Sequence, residues 1–267
     1  MTVTRRARPV SGRHTHWPLC RRCSGIALDL GSARTRAWIA GRGMVLDVPT
    51  VTFPGNGAIH PIQRGTIIDT AGTARMLDRL LGHRMPRFGR PLVVVTAPVL
   101  DGLAFRTEAR TAVEILRPRA VITVPGARAV ALAAGADDAK PLLVVDIGAH
   151  LTEVVLLSGG AVTDARRTAL GTADLGDGTP PERITDAVVE MVTAMLRQDR
   201  TSVTRTALRR GVLLSGGGAL RPEVTHSLPG RLGCPVQPVT SPHTAAVRGA
   251  AGLLAAEHHH PPAGGAV

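Results

Sequence analysis

The apolar positions along the chain change period in a way that divides it into two matching halves. Over 25–49, "GIALDLGSARTRAWIAGRGMVLDVP" sets apolar residues in short runs broken by glycine, and over 142–167 "LLVVDIGAHLTEVVLLSGGAVTDARR" does the same. Such runs predict strand, turn, strand, glycine turn, strand in each copy. A single offset of 117 pairs Asp29 with Asp146, Gly31 with Gly148, Thr35 with Thr152, Gly43 with Gly160, Val45 with Val162 and Asp47 with Asp164. The chain therefore reads as a duplicated α/β protein in which each half opens with a β-meander.

After each meander the period lengthens. The first half predicts a helix over 69–81 capped by Asp69, a buried strand over 91–96, a helix over 103–116 stopped by Pro118, a strand over 120–124 and a helix over 127–134. In the second half Pro180 and Pro181 open a helix whose stripe of Ile184, Val188, Met191, Val192 and Met195 reads as core. A strand over 211–214, the glycine turn "SGGGAL" entering a helix, a strand over 235–239 and a closing helix over 243–256 follow. The expected organisation is a basic disordered arm (1–24), a first half (25–138), a second half (139–257) with part of the closing helix packing on the first, and a disordered tail (258–267).

Composition narrows the function classes. At 267 residues, 44% hydrophobic and 19% charged, the chain is long enough for a proper core. Its longest uncharged apolar runs, such as 91–98 and 129–136, fall short of the ~20 residues a membrane span needs. Half of the net charge of +12 sits in six arginines within 1–24, which reads as a solvated arm able to touch an anionic membrane surface. Two Trp, three Phe and no Tyr leave no stacking platforms, so no nucleic acid is expected. Cys20 and Cys23 form a lone CxxC near His14 and His16; without a second ligand pair it reads as free thiols in a reducing cytosol, not zinc.

Taken in order, "GIALDLGSARTRAWIAGRGMVLDVPTV", "IQRGTIIDTAGTARML", "VVVTAPV", "VVDIGAHLTEVVLLSGGAVTDARRTALG" and "RGVLLSGGGAL" resemble the MreB-type bacterial actins, the rod-shape-determining proteins of the actin, Hsp70 and sugar-kinase superfamily. The resemblance covers about 25–256. It implies an actin-like, ribonuclease H-like duplicated fold, with two α/β domains around a nucleotide cleft. It places Asp29, Gly31, Ser32, Ala33, Arg34 and Thr35 on a first phosphate loop. Asp146, Gly148, Ala149, His150, Leu151 and Thr152 fall on a second, and Gly216, Gly217, Gly218, Ala219 and Leu220 on an adenosine loop. The implied cofactors are ATP and Mg²⁺, the metal held through water by Asp29 and Asp146, since magnesium keeps much of its hydration shell.

The departures from that pattern bear on activity. The family's second loop is rich in glycine and threonine, whereas Ala149, His150 and Leu151 stand at its centre here. The Glu-Pro pair whose carboxylate orients the attacking water aligns with Pro125, Gly126 and Ala127, so no carboxylate base is expected near the second loop. Arg34 replaces a small amide, and either adds a phosphate contact or fills the pocket. Little chain remains at 53–62 and 172–181 to build the two small subdomains. The expectation is an MreB-like cytoskeletal protein of cell shape and cell-wall morphogenesis, cytoplasmic with membrane association, in which ATP binding and hydrolysis are weak or lost. Its expected partners are a full-length paralogue or a cell-wall-synthesis complex; the alternative is an active ATPase or small-molecule kinase of the same superfamily.

Overall fold

The computed structural model describes residues 24–55, 57–85, 89–100, 102–176 and 178–257. The arm with its arginines and CxxC, and the histidine-rich tail, lie outside the described residues. Both meanders form: β1 (Gly25–Leu30), β2 (Arg34–Ile39) and β3 (Gly43–Pro49) are continuous and antiparallel. A two-residue ribbon, β4 (Ile62–Gln63) and β5 (Thr66–Ile67), precedes α1 (Thr70–Leu81). The Asp69 side chain caps α1 by accepting from the Gly72 amide at 2.7 Å, and Met76, Leu77 and Leu81 bury its inner face. Next come β6 (Leu92–Ala97), α2 (Gly102–Val113), β7 (Ala120–Pro125) and α3 (Gly126–Ala133). All six residues of β6 are buried, as expected of a central parallel strand covered on both faces.

The second half repeats the plan with β8 (Leu142–Ile147), β9 (Thr152–Ser158) and β10 (Ala161–Thr168). Then follow α4 (Glu182–Gln198), α5 (Val203–Arg210), β11 (Val212–Ser215), α6 (Pro222–Thr225), α7 (Ser227–Leu232), β12 (Val236–Pro238) and α8 (Ala245–Glu257). The two sheets have equivalent strand orders, β3-β2-β1-β6-β7 and β10-β9-β8-β11-β12. The offset of 117 survives in three dimensions: Gly43 and Gly160 carry the same left-handed turn conformation, at φ 78° and 74°. The five stripe residues of α4 are all buried. Sequence patterning missed α5 (Val203–Arg210), whose apolar face is only Val203, Ala207 and Leu208.

Each sheet is covered on one face by its own half and on the other by a helix that joins the halves. Helices α1 and α2 pack on the first sheet, and α4, α6 and α7 with the second. The remaining faces are exchanged. α3, from the first half, buries Ala127, Val130 and Ala131 against Leu142, Val144, Val155 and Leu157 of the second sheet. α8, from the second half, buries Val247, Ala250 and Leu254 against Ala27, Leu92 and Val94 of the first. The two helices cross where Gly249 lies on the backbone of Ala129.

Both stretches expected to lack a small subdomain are short connections. Between β3 and α1 the chain makes one isolated bridge, Thr52 to Ile59, and the β4–β5 ribbon; between β10 and α4 it makes a 3₁₀ turn (Thr172–Asp174) and a bridge from Gly176 to Thr179.

Candidate functional site

The turns that follow β1 and β8 meet beside a cavity of about 310 Å³, at the low end of the roughly 300–1,000 Å³ of small-molecule sites. In each turn the glycine amide is spent at home: Gly31 donates to the Arg34 carbonyl at 3.1 Å and Gly148 to the Leu151 carbonyl at 2.8 Å. A Cβ on either glycine would lie 2.9 or 3.0 Å from that same oxygen. Closing the turn therefore requires both glycines, whether or not an anion approaches.

Across the gap the turns bond to each other. The Ser32 hydroxyl and His150 Nδ1 are 3.0 Å apart. Leu151 packs beside Gly65 at the tip of the β4–β5 ribbon, where Arg64 and Gly65 both have positive φ, as a two-residue hairpin turn requires. Arg64 Nη2 reaches Asp174 Oδ1 at 2.7 Å, and its Nη1 donates to the Ala169 carbonyl. The ribbon tip thus clasps the second half over the mouth of the cavity.

The two aspartates sit in matching places with unlike partners. Asp29 accepts from the Thr96 hydroxyl at 2.8 Å and from Arg36 Nη1 at 3.2 Å. Asp146 accepts from the Ser215 hydroxyl at 2.9 Å, and Thr96 and Ser215 stand on the equivalent strands β6 and β11. Desolvation pushes the Asp146 carboxyl up to about 6; the Ser215 bond opposes this, and the Asp29 charge adds to it. Glu153, opposite Asp146 in the β8–β9 register, is 7% exposed and lines the same cavity. Burial pushes it up to about 7, helped by the Asp146 charge and opposed by the Val99 amide, which donates to it at 3.1 Å.

The other predicted residues play varied parts. Arg34 lines the cavity, but its guanidinium is engaged by Asp47: Nε is 2.5 Å from Asp47 Oδ1 and Nη2 donates to the Asp47 carbonyl. Thr35 and Thr152 are fully buried, bonded to Thr50 and to the Leu170 carbonyl, so their hydroxyls hold the meanders together. Ser32, Ala33 and Ala149 line the cavity with Gly216 and Gly217. Gly216 needs its φ of 83° and packs on the Ile147 carbonyl, whereas Gly217 faces open space. A Cβ on Gly218 would fall 2.2 Å from Ile147 Cγ2, so this glycine serves packing; Ala219 is buried and Leu220 is 58% exposed.

The MreB/Mbl protein family model matches residues 54–177. Cell shape-determining protein MreB of Escherichia coli is 24% identical over 316 aligned positions, covering 84% of this chain and 91% of that protein. Mbl of Bacillus cereus is 26% identical over 164 positions, covering 51% of this chain and 49% of its own. Among solved structures, MreB5 of Spiroplasma citri bound to ADP superimposes with a TM-score of 0.73 at 16% identity, covering 90% of this chain and 100% of the other. A MamK double helical filament gives 0.70 at 16% identity, covering 89% and 99%. The chain has an actin-like fold, and it is similar in sequence to the MreB and Mbl cell shape-determining proteins.

The alignment with E. coli MreB runs longer than this whole chain, so the residues that this chain lacks relative to that protein are internal gaps. That agrees with the short connections at 50–61 and 169–181. One expectation fails. A carboxylate does stand near the second loop, Glu153, on the strand after it and not at the start of α3, where Pro125 and Gly126 offer none. Its signal was in the sequence: the offset of 117 pairs Glu153 with Arg36, and each lies opposite its half's cleft aspartate. His243 was also missed. It lines the cavity beside Gly216, and its Nδ1 is buried without a hydrogen-bond partner. Among the described residues no group of three or more His, Cys, Asp or Glu side chains is placed to hold a metal ion.

The three consecutive glycines therefore predict different outcomes. Gly217→Val is expected to fold like the parent and to weaken adenine-nucleotide binding by about tenfold or more, roughly 1.4 kcal/mol, because its side chain takes cavity space. Gly218→Val is expected to lose stability instead. Thermal melting and calorimetry on both variants check this, and unchanged affinity in a folded Gly217→Val would remove the adenosine-loop assignment.

Proposed function

We propose that this chain is a reduced cell-shape actin: a cytoskeletal protein of cell-wall morphogenesis that holds adenine nucleotide weakly, turns it over slowly, and acts by joining the polymer of a full-length paralogue or a cell-wall-synthesis complex at the membrane. The observation that carries the reading is the Ser32–His150 bond, which joins the two phosphate turns across the space a phosphate would use. The names of the curated relatives support the cell-shape part, and the ADP and AMPPNP in two MreB5 structures support an adenine nucleotide as ligand.

The cavity suits the nucleoside end better than the phosphate end. The open face of Gly217 and the unpartnered Nδ1 of His243 would hold the base and sugar, and a buried ring nitrogen without a partner is stabilised by a ligand that completes its bond. At the phosphate end, Ala149 and His150 put side chains where glycine would leave the amides clear. Magnesium fits poorly, because the Asp29 oxygens already accept from Arg36 and Thr96.

The test is phosphate release and calorimetry on the pure protein. Turnover is expected to lie about 10²-fold or more below that of a complete bacterial actin, the range a positioned base typically contributes. Brisk release that is lost in Asp146→Ala would overturn the reading. An active ATPase is the second reading, favoured by Glu153 as a buried, cavity-lining carboxylate that accepts from the Val99 amide. On that reading Glu153→Gln lowers phosphate release by ~10²–10⁴-fold; on the first it changes little.

A further inference from the structure

We propose that Arg36 is the resident cation of this cleft: its guanidinium stands at Asp29 in the place of a divalent metal, so that the phosphates of a nucleotide are held without one. The proposal deepens the nucleotide reading above. It rests on strand register and distances. Arg36 lies directly opposite Asp29 in the β1–β2 pairing, with Nη1 3.2 Å from Asp29 Oδ2. Its Nε is 3.3 Å from Asp47 Oδ1, an ion pair without a hydrogen bond, and Asp47 is also held by Arg34, so the guanidinium lies between carboxylates of both neighbouring strands.

The Thr96 hydroxyl takes the other oxygen of Asp29. Both carboxylate oxygens are therefore engaged from within the fold, and the Arg36 side chain is 13% exposed, too enclosed to swing freely into water. A guanidinium does not lose its proton in proteins, so this charge is permanent. Hydrated magnesium binds through one or two carboxylates with free lone pairs. Here it would have to displace an arginine or sit beside it, like charge against like charge in a partly desolvated cleft.

The same residue suits the task of binding an anion. A guanidinium carries five N–H donors in a planar fork. Nη1 bonds Asp29, Nε lies 3.3 Å from Asp47 without a hydrogen-bond partner, and Arg36 lines the cavity, where its Nη2 would serve a phosphate oxygen. The duplicated half shows that the pattern is particular to one side: the equivalent position there is Glu153, opposite Asp146. Of the two arginines that line the cleft, Arg36 is the one at a cleft aspartate, while Arg34 is held by Asp47.

The test uses Mn²⁺ as the metal probe, read by electron paramagnetic resonance, and a fluorescent ADP analogue with and without EDTA. The parent protein is expected to show no stoichiometric Mn²⁺ site, and any affinity for the analogue should change less than about twofold on adding EDTA. Arg36→Met, similar in length and uncharged, is expected to gain one Mn²⁺ site at least tenfold tighter than in the parent, lost again when Asp29→Asn is added. Arg36→Lys keeps the charge and is expected to exclude Mn²⁺ like the parent. If Arg36→Met does not fold, Arg36→Gln, which retains a bond to Asp29, takes its place. An Mn²⁺ site in the parent that disappears in Asp29→Asn overturns the proposal, as does failure of the uncharged variant to gain one. If the analogue binds to no variant, the nucleotide reading fails while the Mn²⁺ arms still decide the role of Arg36.

Discussion

Gly249→Ala is expected to cost this fold about 3 kcal/mol or more, the upper end of what overpacking a well-filled core costs. A Cβ at that position would lie 1.7 Å from the Ala129 carbonyl oxygen and 2.4 Å from its carbon, in a helix backbone that has no rotamer to change. The crossing can relieve the clash only if α3 and α8 separate. These are the two exchanged helices, so separating them opens the face of both sheets at once. With total stabilities of ~5–15 kcal/mol for natural domains, a loss of this size leaves little soluble protein. Gly252→Ala is the control: it lies three residues on in the same helix with nothing within 4 Å of its added Cβ. There alanine is expected to be neutral or to stabilise by about 0.5–1 kcal/mol through helix propensity. Urea unfolding of the two variants beside the parent measures both, and a Gly249→Ala protein as stable as the parent would mean that the helices do not cross as described.

The unliganded protein is also expected to become more stable as pH falls from about 8 to about 5, the reverse of ordinary acid destabilisation. Asp146 is raised to about 6 and Glu153 to about 7, both by burial first and by repulsion from a neighbouring carboxylate in addition. A carboxyl whose folded pKa lies above its unfolded value binds its proton more tightly in the folded state. Its contribution is fully present below the unfolded value and is lost as pH rises through the folded one, here through about 6 and about 7. A tenfold tighter hold on a proton corresponds to about 1.36 kcal/mol, so the pair together contributes about 3–5 kcal/mol across that window, as an upper figure because the two titrate together. Groups held lower act at lower pH. Burial works to raise Asp47 and Asp174, but Arg34 with Arg36 for Asp47, and Arg64 with the Gly171 amide for Asp174, together outweigh it and hold both below the usual carboxylate range. They lose stabilisation only as pH falls below that ordinary range. Urea midpoints at pH 5, 6, 7 and 8 for the parent and for Glu153→Gln test this. The variant should be the more stable protein at pH 8 and show a shallower slope; equal slopes would show that Glu153 is not the group responsible.

Much of the architecture was legible because it depends on short-range sterics repeated twice. The turns at Gly31 and Gly148, the strands on either side and the glycine turns at Gly43 and Gly160 are each dictated within a few residues, and the offset of 117 made each half a check on the other. The Asp69 cap and the buried stripe of α4 follow from the same local logic. Helix α5 was missed because its apolar face is only Val203, Ala207 and Leu208 within eight residues, too short a stripe to stand out among its threonines and arginines.

Side-chain partners in the cleft were a different matter. Arg34 and Arg36 are two residues apart on one face of β2, and either could have been the arginine at Asp29; the register decided, placing Arg36 opposite Asp29 and leaving Arg34 beside Asp47. Glu153 was hidden because a glutamate in a strand reads as solvated until the sheet is seen to be covered and the Val99 amide is found pointing at it. What the sequence by itself determined is the duplication, the meanders, the turns and the positions of the two cleft aspartates, all of which follow from residue type and spacing. Only the tertiary structure decided that α3 of the first half packs on the second sheet, that Ser32 and His150 join the two turns, and that Asp29 is already paired with an arginine. These pairings connect residues from 7 to 120 positions apart. No local preference selects such partners; the closing of two sheets around shared helices does.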